Sequence, residues 1–371
     1  MNVFYPIRLT QARNWNSMSL DYLAGMIGVT KASISLYERG TRKPDAFIQV
    51  RLANALQFPV EFFYTPPIDT SVSQISYRKK ANTKKARQIR AELFKQFSIE
   101  FVELLSSYVH FKDTSLSIDD VVSPEDLSGV DIEMIALKAR QQFNAGLGPI
   151  QNVMTFLENR GAFIFLYDSN FFPMDGFSCI HDGHPYIYIN QDSSWDRIRL
   201  TLAHELGHIL LHSGVDRSAR MSAEFYTRLE RQANRFAGAF LCPKDSFLKE
   251  FICIDPSVLL ELKKKWGVSK AALVKRARQL NLITATQEKS YFTGASRRKE
   301  RIIEEGNALR AKEEPFVIKT ILKSLLSQQV IDRYSLTARC NLSKDLTNVL
   351  SFGILQESSA EKPLPPFSFQ F

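Results

Sequence analysis

The sequence predicts an α+β chain that is mostly α, and three observations carry that expectation. Apolar residues recur at three- and four-residue spacing over long stretches such as "IRAELFKQFSIEFVELLSSYV", the period of an amphipathic helix. Only "AFIFLYD" and "PYIYIN" concentrate β-branched and aromatic residues, so the sheet is small. With 371 residues, 44% of them hydrophobic and 11% aromatic, the chain can build two or three domains, each with a sizeable core.

Composition also excludes some classes. No run of about 18 apolar residues exists, so no membrane-spanning helix and no membrane partner are expected. The start, "MNVFYPIRLTQARNW", lacks the apolar segment of a signal peptide, so the expected location is cytoplasmic. Cys179, Cys242, Cys253 and Cys340 are scattered with no C-x-x-C pair, which suits reduced thiols rather than a disulfide framework. A net charge of +9 and a pI near 9.3 point toward a polyanionic partner, although charge alone is weak support.

In chain order, residues 1–64 read as a run of short helices. "TPPIDTSVS" (65–73) reads as a linker. The stretch 77–95 holds eight basic residues and one acidic one; it is either an arm that tracks phosphates or a solvated linker helix. It merges into a helix ending near residue 109. Residues 111–130 read as a loop, "DIEMIALKARQQF" as a helix, "NAGLGP" as a breaker and "IQNVMTFLENRG" as a helix stopped by Gly161. The two strands follow, then helices from 195 to about 283. Beyond 290 the pattern is hard to read, and "KPLPPFSFQF" reads as a loose tail.

Within "SLDYLAGMIGVTKASISLYE" (19–38), Ser19 can cap a helix that carries Leu20, Leu23, Ala24 and Ile27 on one face. Gly28 breaks it. Thr30 can cap a second helix whose Ile34 and Tyr37 point inward, leaving Lys31, Ala32, Ser33 and Ser35 outward. Small and basic outward residues suit a helix entering a major groove about 12 Å wide. Arg39, Arg42 and Lys43 follow in "RGTRKPD", placed to reach phosphates. The run "IGVTKASISLYERGTRKP" resembles the Xre/Cro-like helix-turn-helix family, over about residues 6–64. The resemblance implies a five-helix DNA-binding domain whose partner is a double-stranded operator, with Thr30, Lys31, Ala32, Ser33, Ser35, Arg39, Arg42 and Lys43 as contacts. A small helical bundle used for protein contact or dimerisation is the alternative, and a homodimer is compatible with either.

The stretch "TLAHELGHILLH" (201–212) places three histidines and a glutamate in an otherwise apolar helix. His204 and His208 differ by only ~40° around a helix axis, so they stack on one face. Trp195, Ile198, Leu202, Leu206 and Ile209 form a stripe roughly opposite, while Leu200 and Leu211 flank the histidines. Burying these polar groups without partners costs roughly several kcal/mol. A divalent metal removes that cost, with Glu205 beside it as a base that takes a proton from water. This is H-E-x-x-H, the pattern of zinc hydrolases. Five of the six histidines fall between 181 and 212, which a solvated surface does not explain.

A third ligand is needed. His212, Glu224 and Glu230 are near in sequence. His212, a further turn along the same straight helix, reaches a metal held by His204 and His208 poorly. Glu230 opens "ERQANRFAGAFLCP", a helix with Ala233, Phe236, Ala237 and Phe240 on one side. It is favoured, with Asn234 one turn on as a hydrogen-bond partner for a ligating histidine. Zinc is the expected ion and manganese the alternative.

The run "RIRLTLAHELGHILLH…ERQANRFAGAFLCP" resembles the ImmA/IrrE-type metallopeptidases, and "EMIALKARQQFNAGLGPIQNVMTFLENRGAFIF" resembles the helical segment that precedes that domain. The likeness covers about 131–285. It implies a gluzincin-like site with His204, His208 and Glu230 as ligands, Glu205 as base and a protein substrate. That substrate would be a repressor or a toxin–antitoxin partner, in a phage or stress-response switch. The oxyanion stabiliser stays open among His181, His184, Tyr186, Tyr188, Tyr226, Arg197 and Arg199. His181 and His184 also read as loop residues flanking a turn. "LELKKKWGVSKAALVKRARQLNLI" (260–283) has helix-turn-helix rhythm; it is either a second DNA reader or the helical end of the peptidase domain.

The expected plan is thus a DNA-binding domain at 1–64, a basic connector at 65–130, a peptidase domain at 131–285 and a helical C-terminal region, 286–371, of uncertain fold. The rival to a peptidase is a non-enzymatic DNA-binding regulator or antitoxin whose metal site is structural or senses a ligand. A purely structural site has no use for the base Glu205.

Overall fold

A computed structural model describes residues 3–69, 85–118, 123–213, 215, 222–300 and 304–356. The end of the linker (70–73), the first part of the basic run and the tail "KPLPPFSFQF" lie outside the described residues. The chain divides into two compact units. One comprises Met1–Pro67, Glu100–Tyr108 and Ile318–Phe371; the other comprises Ile68–Ile99 and Val109–Val317.

The first unit opens with α1 (Pro6–Trp15), α2 (Leu20–Ile27), α3 (Lys31–Glu38) and α4 (Ala46–Leu56). Local chemistry sets each boundary. Ser19 Oγ accepts from the Tyr22 amide at 3.1 Å. Gly28 ends α2 in the left-handed region, at φ 65°, where glycine carries no Cβ penalty. Thr30 Oγ1 accepts from the Ser33 amide and Asp45 Oδ1 from the Ile48 amide. Leu9, Leu23, Ile27, Ile34, Leu52 and Leu56 fill the core. The fifth element differs from the expected α-helix: Val60–Tyr64 forms a 3-10 turn. Pro59 before it and Pro66 after it confine it to a short tight turn, and the turn is enough to drop Phe62 and Phe63 into the core. The guanidinium of Arg8, wholly buried, donates to the carbonyls of Thr65 and Pro66 and so fastens the end of this turn.

Helix α5 (Lys85–Ser106) contributes its early part to the second unit and its end to the first. The second unit continues with α6 (Gly129–Gln142), α7 (Val153–Glu158), β1 (Phe163–Tyr167), β2 (Gly176–His181), β3 (His184–Asn190), α8 (Trp195–His212) and α9 (Ala223–Leu241). It then runs through α10 (Lys244–Glu250), α11 (Pro256–Trp266), α12 (Lys270–Gln279) and α13 (Ala285–Arg297). Helix α7 is shorter than "IQNVMTFLENRG" suggests, because Asn152 caps it through the Thr155 amide. The three-stranded sheet has the order β1-β3-β2, with β3 parallel to β1 and antiparallel to β2.

Strand β2 was not among the expected elements. It joins β3 through Asp182 and Gly183, both at positive φ (47° and 79°), the geometry of a two-residue hairpin. His181 and His184 therefore face each other as a cross-strand pair at the hairpin end. Ile187, Ile189, Ile198, Leu202, Leu206 and Phe236 belong to one continuous core between sheet and helices.

The C-terminal residues are more ordered than their pattern suggests. Helices α14 (Val317–Ser327), α15 (Arg333–Cys340) and α16 (Lys344–Leu350) bury Ile318, Leu322, Leu336, Leu346 and Leu350. In the first unit, Asn341 Nδ2 donates to Thr65 Oγ1 at 3.1 Å.

Candidate metal centre

Helix α8 turns Trp195, Ile198, Leu202, Leu206 and Ile209 into the core, as the apolar stripe requires. Helix α9 starts at Ser222, whose hydroxyl accepts from the Phe225 amide, and buries Leu229, Ala233, Phe236, Ala237 and Phe240. The two helices meet closely at Gly207. A Cβ there would stand 3.1 Å from Phe236 Cδ1 and 3.2 Å from Ala233 Cα. That missing side chain lets α9 approach the histidine face of α8.

The approach brings together one nitrogen from each of two histidines and a carboxylate. His204 Nε2 and His208 Nε2 are 3.1 Å apart. Glu230 Oε1 lies 3.3 Å from His208 Nε2, and Glu230 Oε2 lies 3.7 Å from His204 Nε2. The three ligand atoms all lie within 4.8 Å of one another. Two imidazole nitrogens at such range can share a proton or hold a cation, and with the carboxylate they form a donor set that a divalent ion satisfies. Glu224 sits exposed in the first turn of α9, outside this group.

Glu205 is buried and accepts a hydrogen bond at 2.7 Å from Ser178 Oγ, itself buried on β2. The missed strand thus supplies the hydroxyl that fixes the carboxylate. Tyr226 Oη donates to Glu230 Oε1 at 3.0 Å. Asn234 does not show the expected bond to a histidine: its Nδ2 donates to the Glu230 carbonyl at 2.7 Å, as a side chain one turn on can. Nδ1 of His208 instead lies 2.9 Å from Nδ1 of His212.

His204, Glu205, His208, Glu230 and Asn234 line a cleft of about 790 Å³ that also includes Asp175, Arg197, Glu300 and Glu304. Arg197 is an exposed rim residue paired with Asp175 at 2.7 Å. Arg199 points elsewhere: it is wholly buried, ion-paired with Glu313, and donates to the carbonyls of Ile150, Gln151 and Gly267. Burial lowers its pKa, with Glu313 acting against that shift. Asp196 lies under the cleft, where burial opposes its charge, yet Lys263 at 2.8 Å and Ser194 bring its pKa below the usual carboxylate range. Tyr188 is buried against Ser98, and His184 Nδ1 contacts the Gly161 carbonyl. Of the oxyanion candidates, Tyr226 contacts the ligand group and Arg197 lines the cleft.

On the first unit, Thr30, Lys31, Ala32, Arg39, Arg42 and Lys43 are exposed, and Ser33 and Ser35 are half-buried along α3. Lys31 pairs with Asp21 at 2.7 Å. The guanidinium of Arg42 lies over Tyr37, and the ammonium of Lys43 over Tyr64. The second helix-turn-helix rhythm does fold as α11, a left-handed Gly267 and α12. Of its basic residues, Lys264, Lys265 and Lys275 are exposed. Lys263, Lys270 and Arg276 are buried and paired with Glu304, Glu300 and Glu133.

Residues 9–63 match a helix-turn-helix model, and residues 160–278 match the model of the IrrE N-terminal-like domain, a peptidase family. The chain joins a helix-turn-helix DNA-binding domain to an IrrE-like domain. No curated relative matches it. The IrrE-like match runs from β1 into α12 and so contains His204, Glu205, His208 and Glu230. No helix among the described residues is long and apolar enough to cross a membrane.

Proposed function

We propose that this protein is a transcriptional regulator whose IrrE-like domain is a zinc-dependent peptidase that cleaves a protein partner, such as a repressor or a toxin–antitoxin component. The supporting observation is the convergence of His204, His208 and Glu230 beside a buried, Ser178-bound Glu205 in an open cleft. In this reading His204, His208 and Glu230 hold zinc, and peptidase function resides in 131–285. Bound zinc would supply Lewis acidity toward the scissile carbonyl and the attacking water. Glu205 takes the proton from that water and passes it to the leaving amine. Ser178 leaves Glu205 little rotational freedom, so its other oxygen stays directed for the transfer. Tyr226 orients the Glu230 carboxylate.

The test is Glu205→Gln, nearly isosteric and outside the ligand set. The variant should keep the fold, zinc and operator binding and lose about 10²–10⁴-fold in cleavage rate. Glu230→Gln should instead weaken zinc binding roughly tenfold or more. Both are expressed beside the adjacent operon while partner fragments and transcript are followed. If wild type yields no fragment, and Glu205→Gln restores normal transcript after induction, proteolysis is not the function and the binding-only regulator takes its place.

A further inference from the structure

His208 has a neighbour on each ring nitrogen. Nε2 faces His204 and Glu230, and Nδ1 lies 2.9 Å from Nδ1 of His212. His212 is 1% exposed, and its Nε2 lies 3.1 Å from Oε1 of Gln232. Gln232, also buried, donates from Nε2 to the Pro124 carbonyl at 2.7 Å and reaches the Leu127 carbonyl at 3.5 Å.

The direction of every hydrogen bond in this chain follows from its far end. Carbonyl oxygens only accept, so the Gln232 amide must turn its NH₂ toward Pro124 and Leu127 and its oxygen toward His212. That oxygen can only accept, so His212 carries its proton on Nε2. A neutral imidazole has one N–H, so Nδ1 of His212 is a lone pair. It accepts from Nδ1–H of His208. The remaining nitrogen of His208, Nε2, is then the unprotonated one, and its lone pair faces His204 and Glu230. We propose that His212 and Gln232 are positioning residues that lock His208 in the tautomer able to ligate a metal, using two backbone carbonyls of the loop before α6 as the fixed reference. The proposal rests on the metal-centre reading above for its purpose, but the tautomer itself does not.

Three observations support a built relay. All three side chains are buried, so water does not compete for their protons. The line of contacts joins α8, α9 and the loop at 124–127, so no single helix's geometry forces it. His212 also stands one turn beyond His208, too far along α8 to join the ligand group, yet in register to meet the opposite nitrogen of the same ring.

Nitrogen-15 NMR of the full-length, metal-free protein in alkaline buffer, where imidazoles are neutral, tests the relay directly. His208 should show its proton on Nδ1 and His212 on Nε2. In His212→Phe, His208 loses its acceptor and should shift toward an Nε2–H mixture, and zinc affinity measured by chelator competition should fall about 10–100-fold. Gln232→Leu should give a smaller shift in the same direction. In His212→Asn the side-chain oxygen takes the place of Nδ1, and the variant should keep the His208 tautomer and most of the affinity. A merely structural His212 would instead predict that Asn and Phe behave alike. Wild-type His208 protonated on Nε2, or unchanged zinc affinity in folded His212→Phe and Gln232→Leu, would overturn the proposal. Should the tautomers be as drawn while wild type takes up no zinc, the relay stands and the peptidase reading falls.

Discussion

Lys31 and Arg199 are both helical cations paired with a carboxylate, and the chain treats them in opposite ways. Lys31 on α3 meets Asp21 at 2.7 Å with both side chains more than half exposed, at 59% and 66%. Arg199 on α8 meets Glu313 with side-chain exposures of 0% and 6%, and its other donors find three carbonyls. The outward face of α3 keeps its charged pair in water, while Arg8 is a buried cation of the same domain and is bonded to the carbonyls of Thr65 and Pro66. The IrrE-like domain buries Arg199, Glu205, His208 and His212, and each of these has a specific partner.

Removing the carboxylate from each pair should break that comparison open most clearly. Glu313→Leu leaves Arg199 buried and unpaired and takes the acceptor from the Met154 amide. Breaking a buried pair in this way costs about 3–5 kcal/mol. Asp21→Asn should change stability by only ~0–1 kcal/mol, the scale of a solvated pair. Urea unfolding followed by far-UV dichroism, with matched wild type, reads both. Equal losses in the two variants would mean that burial does not separate these domains.

The same difference explains what could be read from the sequence. The helix-turn-helix was legible because its caps, breaker and outward face are local: Ser19, Gly28 and Thr30 each act within three or four residues. The nearness of His204 to His208 was legible for the same reason, being a property of one helix. Glu230 was favoured from the sequence, but the close approach of α9 that Gly207 admits is visible only in the packing. The partners of the buried groups were not legible at all. Ser178 lies 27 residues from Glu205, Gln232 lies 20 from His212, and Glu313 lies 114 from Arg199. Strand β2 was overlooked because "GFSCIH" is a short apolar run without alternation, which periodicity cannot assign. Ser178, a hydroxyl within that run, was the available signal. Helices α14–α16 hold only 7 to 11 residues each, too few turns for a clear period.

Ser33→Glu or Ser35→Glu places a charge on the outward face without touching the core residues Ile34 and Tyr37. Operator affinity should fall by about 1–3 kcal/mol, and Arg42→Gln with Lys43→Gln should each reduce the salt slope by roughly one. Gel-shift titrations over several salt concentrations, on the operator located by footprinting, measure both. An unaltered affinity in the Glu variants, with melting unchanged, would assign this face to protein contact.

The smallest effect separates two roles in one residue. Thr30 Oγ1 accepts from the Ser33 amide at 3.1 Å and also contacts Ser33 Oγ at 3.0 Å, so the residue caps α3 while standing at the proposed DNA face. Thr30→Ala removes the cap and should lower stability by ~1 kcal/mol, with DNA affinity of the folded protein reduced only slightly. Thr30→Asp keeps a capping oxygen and favours the positive end of the helix dipole, so its stability should match wild type. Its charge nevertheless faces phosphates, so its DNA affinity should fall further than that of Thr30→Ala. Melting curves and operator titrations on the two variants therefore move in opposite order. If stability and affinity fall together in both, Thr30 acts on DNA only through the integrity of its helix, and the solvated face begins at Lys31.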